Sequence, residues 1–305
     1  MTDYKTIKGF SIQSVATDPK NTGTPAATWA SGGALNTARQ QLAASGTQTA
    51  GLAAGGTTGS ASALNEGYDG SSWTELADLN AAKSGVAGTP AGTQTAALCF
   101  GGSSALATNE LWNGTGWTEV NNLNDPRGYA ASLGTSTAAL LVSGDYPVTA
   151  NVEQWNGSAW TEIANVNTAL YETKGVGTVT NAIKFGGRTG PGVHQALTEL
   201  WNGSAWSEVN NLNTARSEMG VAGIYTGALA FGGFTGADPF TYHALTEEWN
   251  GSGWTEVGDL STGRAGLAGT GTTTAALASS GTTGTRTAAT EEWNSSSVLN
   301  NVLTD

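Results

Sequence analysis

Few side chains in this sequence could take part in covalent or metal chemistry, and their placement narrows the choice further. There are two histidines, His194 and His243, a single cysteine, Cys99, and 12 Lys and Arg against 24 Asp and Glu. The histidines stand seven residues before Trp201 and six before Trp249, so in a repeated unit they fall in neighbouring loops. An oxidase copper centre would need further histidine ligands and a Tyr–Cys pair, and two histidines without a third ligand do not make a metal site. Cys99 lies inside Ala-Ala-Leu-Cys-Phe-Gly-Gly, the setting of a buried thiol; a nucleophilic one needs accessible, electropositive surroundings. No catalytic residue, metal or cofactor is assigned on these residues.

The residues most suited to contacting a partner sit in two insertions. From a recurring Gly-Gly to the next aromatic landmark the chain takes 10 to 12 residues in four places, but 14 from Gly187 to Trp201 and 16 from Gly233 to Trp249. The longer segments carry Arg188, His194, Phe234, Phe240, Tyr242 and His243. Arg and exposed aromatics are common contact anchors, and loops on one face are where repeat proteins place binding. The plain alternative is that Phe240 only packs beneath its own loop.

What must hold these loops is a repeat. Trp-Asn-Gly-Thr-Gly-Trp at Trp112 to Trp117 returns with small changes at Trp155, Trp201 and Trp249; Tyr68 to Trp73 is a weaker copy, and Glu292 to Ser297 a truncated one. Asn-Gly between strand-like arms signals a β-hairpin, because both residues tolerate positive φ. A two-residue turn would set the two indoles diagonally, a four-residue loop directly opposite, and both on one face. The Asn-Gly-Ser/Thr triplets at Asn113, Asn156, Asn202 and Asn250, and Asn294-Ser-Ser, match a glycosylation acceptor, but the turn explains them without sugar.

The second aromatic of the phrase falls at 29, 73, 117, 160, 206 and 254, in steps of 44, 44, 43, 46 and 48. In phase with it run an apolar stretch ending in Gly-Gly or Ser-Gly and a linker, Leu-Asn-Thr-Ala-Arg at Leu35 to Arg39 and Leu212 to Arg216. Six units of about 45 residues, each with four short strands, spell a β-propeller. Trp29 has no Trp-Asn-Gly ahead of it and Trp293 no second Trp behind it. Ala27 to Ala34 is therefore expected to complete the blade begun by Thr290 to Asn294, which leaves no exposed sheet edge. The Trp pairs belong on the two outer strands, where blades diverge, and Ala-rich stretches such as Gly227-Ala-Leu-Ala near the axis. The basic linker position (Arg39, Lys83, Arg127, Arg216, Arg264, with Leu170 the exception) would ring one face. It could hold an anion, but is expected to pair with repeat glutamates such as Glu119 and Glu208, or with carbonyls.

Composition excludes several classes. The chain is 305 residues long with 44 Gly, 11 Trp and only 12% charged residues, which fits one domain of tight turns rather than a disordered or collagen-like chain. The net charge of −12 has the wrong sign for nucleic acid or for anionic lipid. No stretch approaches 18 apolar residues, and no apolar signal core opens the chain, so neither membrane insertion nor standard export is expected.

Gly-Gly closing one strand, an aromatic ten to sixteen residues on, then Trp and a Leu-x-x-x-Arg linker resembles the pattern of kelch repeats over about 280 residues. That resemblance implies an all-β, six-bladed propeller over residues 27–305. It says little about function, since such frames serve as scaffolds, adhesins and enzymes. Asn-Gly-x-x-Trp is also similar to the Asp-box of sialidases, but with a shorter loop and no leading Ser, and no arginine triad with a nucleophilic tyrosine stands out. Residues 1–26 differ from all that follows. Tyr4-Lys-Thr-Ile-Lys-Gly and Ile-Gln-Ser-Val-Ala-Thr-Asp-Pro19 are similar to the N-termini of virion structural proteins of marine tailed bacteriophages. The apolar residues Ile7, Phe10, Ile12 and Val15, followed by Asp-Pro, read as an extended arm with a short strand around Phe10 to Val15, and the resemblance implies that it anchors the chain, with Tyr4, Ile7, Ile12 and Val15 as its docking residues.

The expected function is a non-enzymatic virion component, tail, fibre or another surface part, made in the host cytoplasm and present in multiple copies. It would bind other virion proteins through the arm and a host-surface glycan or protein through the long loops. A carbohydrate-active enzyme or oxidase on the same frame would instead show a cluster of ionisable side chains at one mouth of the channel. A cytoplasmic kelch scaffold would be monomeric and soluble without the arm.

Overall fold

The computed structural model describes residues 27–295, together with the backbone at 6–7 and 10–11. Thr6–Ile7 pairs antiparallel with Phe10–Ser11; Tyr4, Ile12 and Val15 and the other arm positions lie outside the described residues. From Ala27 onward, six antiparallel sheets stand around one axis as a six-bladed β-propeller, and no helix occurs among the described residues.

Each blade is a meander running outward from the axis. In the third blade the strands are Ala131–Thr135, Ala138–Val142, Val152–Trp155 and Trp160–Ile163. The innermost strands are poorer in side chain than any other part of the sheet: Ala-Ala-Ser-Gly-Thr at Ala43–Thr47 and Ala-Gly-Thr-Gly at Ala268–Gly271. Such sequences suit the crowding at the axis, where neighbouring inner strands lie side by side. Stretches like Gly227–Phe231, expected there, form the second strand of their blades instead. The second blade lacks a continuous inner strand. Pro90 has no amide to give to a ladder, and only isolated bridges remain, Ala87 to Phe100 and Thr93 to Ala96, while the Ala91 amide turns to Gly134 of the next blade.

The ring closes as its ends require. Thr28–Gly32 pairs with Thr290–Asn294 as the outermost strand of the sixth blade, setting Trp29 opposite Trp293. The same opposition recurs at Trp112 and Trp117, Trp155 and Trp160, Trp201 and Trp206, and Trp249 and Trp254, with ring centroids 5.3 to 5.6 Å apart. The loop is thus four residues long and not an Asn-Gly two-residue turn. Gly114 alone takes positive φ (93°), and Asn113 instead accepts the amides of Thr115 and Gly116 on its Oδ1, at 2.9 and 3.0 Å. Asp69 does the same in the first blade, and those amide and hydroxyl donors hold its carboxylate down at about 2.

The second Trp of each phrase packs against the neighbouring blade, buried in five cases and half-buried at Trp29. Trp29, Trp73 and Trp254 donate their indole N–H to Thr246, Thr290 and Thr198 of the preceding blade, at 3.0 to 3.1 Å. Val152 stands at the matching place beside the fourth blade, and the Trp206 indole there has no partner.

The basic linker positions are fully structural. Arg39, Lys83, Arg127, Arg216 and Arg264 are each at most 1% exposed and pair with Glu66, Glu110, Glu153, Glu247 and Glu291, at 2.6 to 3.1 Å. These glutamates lie two residues before the first aromatic of each phrase; Glu119 and Glu208, expected as partners, point to solvent. Carbonyls share the cations, as where Arg39 also donates to Gly55 and Leu64 at 2.7 Å. The linker Asn completes the clamp: Asn80 gives both its amide and its side-chain N–H to the second oxygen of Glu110. In the fourth blade Leu170 replaces the cation, yet Glu199 remains, and Lys184 from the facing strand supplies the missing charge at 3.0 Å. Cys99 occupies the same cross-strand position in the second blade, and burial lifts its thiol to about 12.

Candidate functional site

Two residues beyond the last residue of each linker (Arg39, Lys83, Arg127, Leu170, Arg216 and Arg264), the chain turns into the innermost strand. The six residues at that point, Gln41, Gly85, Tyr129, Glu172, Glu218 and Gly266, all take φ between 52° and 63°. A left-handed backbone is ordinary for the two glycines but uncommon for the other four. The reason lies between blades. Each of the six amides donates to the carbonyl of its counterpart one blade back, from Gln41 to Gly266, Gly85 to Gln41, Tyr129 to Gly85, and on through Glu172 and Glu218 to Gly266 again. The distances run from 2.6 to 3.1 Å, and the result is a closed hoop of backbone hydrogen bonds around one mouth of the channel.

Inside the hoop the channel is nearly filled by Ala44, Pro90, Ser132, Val221 and Gly269, leaving about 40 Å³. A cavity of that size holds no more than a few waters, so a ligand has more room at the mouth. The four non-glycine hoop residues place their side chains there. Tyr129 lies over Gly85, where a methyl group would come within 2.9 Å of the ring, and a Glu218 oxygen leans over Gly266. Gln41 donates to Glu218 at 2.7 Å and accepts from the Tyr129 hydroxyl at 3.4 Å. Lys174 lines the channel just below, next to Glu172 and Glu218, and desolvation lowers its ammonium from the ordinary value against the pull of both carboxylates.

The two long loops form the wall on one side. Both connect second to third strands and so rise on the same face as the hoop. Arg188–Gly190 pairs with Val193–His194 in one, and Phe234–Thr235 with Thr241–Tyr242 in the other. Arg188 donates to Glu172 at 2.5 Å and lies over the rings of Tyr171 and Phe234. Burial, reinforced by the neighbouring Glu218, pushes Glu172 up to about 8 against the opposing Arg188; burial likewise raises Glu218. The pocket so enclosed, lined by Gln40, Gln41, Glu172, Arg188, Glu218, Phe234, Phe240, Tyr242 and Thr282, has a volume of about 140 Å³. A cleft of about 310 Å³ continues from it past Gln40, Tyr242 and Thr282 to Arg286.

Of the six loop residues singled out in the sequence, Arg188, Phe234, Phe240 and Tyr242 therefore meet at one pocket. Phe234 is its buried floor and Phe240 its open edge, stacked edge-on to Phe234 at 4.9 Å and 45% exposed. The histidines brace the loops. His194 bonds Ser217 at 2.7 Å and the Gly236 carbonyl of the other insertion at 2.9 Å, and His243 bonds Thr235 at 2.8 Å. Desolvation lowers both below the usual histidine value, and no group of three or more potential metal ligands occurs among the described residues. Sequence reasoning missed Gln41, Tyr129, Glu172 and Glu218. The available signal was their shared place two residues after the last linker residue, where the six repeats read Gln, Gly, Tyr, Glu, Glu and Gly. The cluster of ionisable groups that an enzyme on this frame requires is present at this mouth.

No protein-family profile and no curated protein matches the chain. Among solved structures, that of YjhT is similar over 85% of this chain and 96% of its own, with a TM-score of 0.70 and 12% sequence identity. At that identity the likeness concerns the fold alone.

Proposed function

We propose that the chain is a non-enzymatic structural component of a tailed-phage virion, anchored by residues 1–26, whose mouth pocket engages a host-surface glycan or protein. The observation that carries this reading is the meeting of the two longest loops over the hoop, where aromatic, amide and carboxyl side chains wall one pocket on an otherwise repetitive frame. The resemblance of the arm to phage virion proteins and the kelch-like repeat supply the context, and the net charge of −12 argues against nucleic acid and anionic membrane as partners. Mass spectrometry of purified particles should find the chain at fixed, multiple copy number. Deleting residues 1–26 should abolish incorporation while leaving the propeller folded; unchanged incorporation would sink the anchoring role.

A second reading, a carbohydrate-active enzyme on the same frame, is favoured by one observation. Glu172 and Glu218 share a mouth where one carboxyl is held protonated near neutral pH, the condition for a general acid. Turnover of a polysaccharide that disappears in both Glu172→Gln and Glu218→Gln would replace the first reading with this one.

A further inference from the structure

The mouth pocket has chemistry specific enough to name a ligand class. Its floor and outer edge are aromatic: Phe234, Phe240 and Tyr242, with Phe240 and Tyr242 6.5 Å apart. Its inner wall is planar and polar, made of Gln40, Gln41, Glu172, Glu218 and the Arg188 guanidinium. Glu172 is only 6% exposed and is held by Arg188, with Ser217 beside the same carboxyl.

A group that satisfies both walls has an apolar face of C–H bonds and a rim of hydroxyls that both donate and accept. A phosphate does not fit: the one guanidinium is already tied to Glu172 and two carboxyls crowd it. We propose that the pocket binds a single uncharged hexopyranose unit, its C–H face on Phe240 and Tyr242 and its hydroxyls on Glu172, Glu218 and Gln41, with the chain of an attached glycan leaving along the cleft towards Arg286. An acidic sugar is disfavoured by the negative charge of the whole chain, and the guanidinium of Arg188 is already tied to Glu172. This rests on the mouth being the binding site, as proposed above, and does not require the virion.

The test uses the full-length protein and methyl glycosides of glucose, galactose and mannose, with glucuronate as the anionic comparison, followed by NMR titration. At least one neutral glycoside should bind with Kd in the range of about 1 mM. Phe240→Ala, which removes an exposed ring and leaves the fold intact, and Glu172→Gln should each weaken it about tenfold or more, while Ser252→Ala on the opposite face should leave it unchanged. No binding by any neutral glycoside at concentrations of about 50 mM, tens of times that Kd, tighter binding of glucuronate, or binding indifferent to Phe240→Ala would each overturn the proposal. A chain that binds a glycoside but is absent from particles would remove the virion reading and leave this one standing; a chain incorporated but blind to sugar would do the reverse.

Discussion

The outer belt and the channel mouth of this propeller follow opposite rules. In the belt, the same side chains return blade after blade: opposed aromatics, an Asn or Asp capping the hairpin loop, and a glutamate clamped between a buried cation and a linker amide. At the mouth, the backbone repeats six times with nearly identical φ, but the side chains read Gln, Gly, Tyr, Glu, Glu and Gly. The belt repeats its residues because each carries the same packing duty. The mouth repeats its geometry only, and the side chains it carries are released from structural duty. The fourth blade sharpens the contrast: it gave up the linker cation, and a lysine on another strand took over the charge. What the belt preserves is the charge pair, not the residue.

The largest effects should come from breaking the belt. Trp206→Ala removes a buried indole at a blade junction and should lower stability by about 3–5 kcal/mol in a denaturant titration. A loss below about 1 kcal/mol would make Trp206 a surface residue. Lys184→Ala strands the buried Glu199 carboxylate and should cost a similar amount, about 3–5 kcal/mol. Adding Leu170→Arg to that variant should recover most of the loss by restoring the arrangement of the other five blades. Failure to recover would mean that position 170 is not the equivalent of the other linker cations.

The mouth should show itself through pH. Glu172 keeps its proton to about 8 when folded, against an ordinary value of 4.5, held there by burial and by Glu218 against Arg188 and Ser217, with Lys174 beneath. The folded state thus binds the extra proton between those values. Its contribution is complete below about 4.5, declines as pH rises through about 8, and levels off beyond. The urea midpoint should fall from pH 5 to pH 8.5, and Glu172→Gln should flatten that slope; a midpoint that climbs across this window would contradict the assignment. The smallest effect returns to the belt. Val152→Thr offers the unpartnered Trp206 indole the hydroxyl that its counterparts at Trp29, Trp73 and Trp254 already have, and should add about 1 kcal/mol.

The contrast also explains what was legible in the sequence. Periodic Trp, Gly-Gly and Leu-Asn-x-x-Arg fixed blade number, ring closure and the loops that rise over one mouth, because a repeated duty leaves a repeated residue. The same signal identified a cation at five of the six linkers but not its partner. Glu66, Glu110 and Glu199 stand directly opposite Glu75, Glu119 and Glu208, on the same face of the sheet and with equal regularity, and what separates them is that the first set lies on the covered third strand and the second on the exposed outermost one. Glu172, Glu218, Gln41 and Tyr129 left no residue pattern at all. They are united by a backbone conformation and by hydrogen bonds between blades, neither of which a single sequence spells out.

The strand that closes the sixth blade has one more consequence. Thr28 pairs with Asn294, at the end of the strands that carries the Asn-Gly loops, so the chain enters the propeller at Ala27 and leaves it at Ser295 on that face. The hoop and the two long loops occupy the other. The molecule is therefore polar along its axis: Ala27 and Ser295 lie together on one face, and the pocket opens on the other.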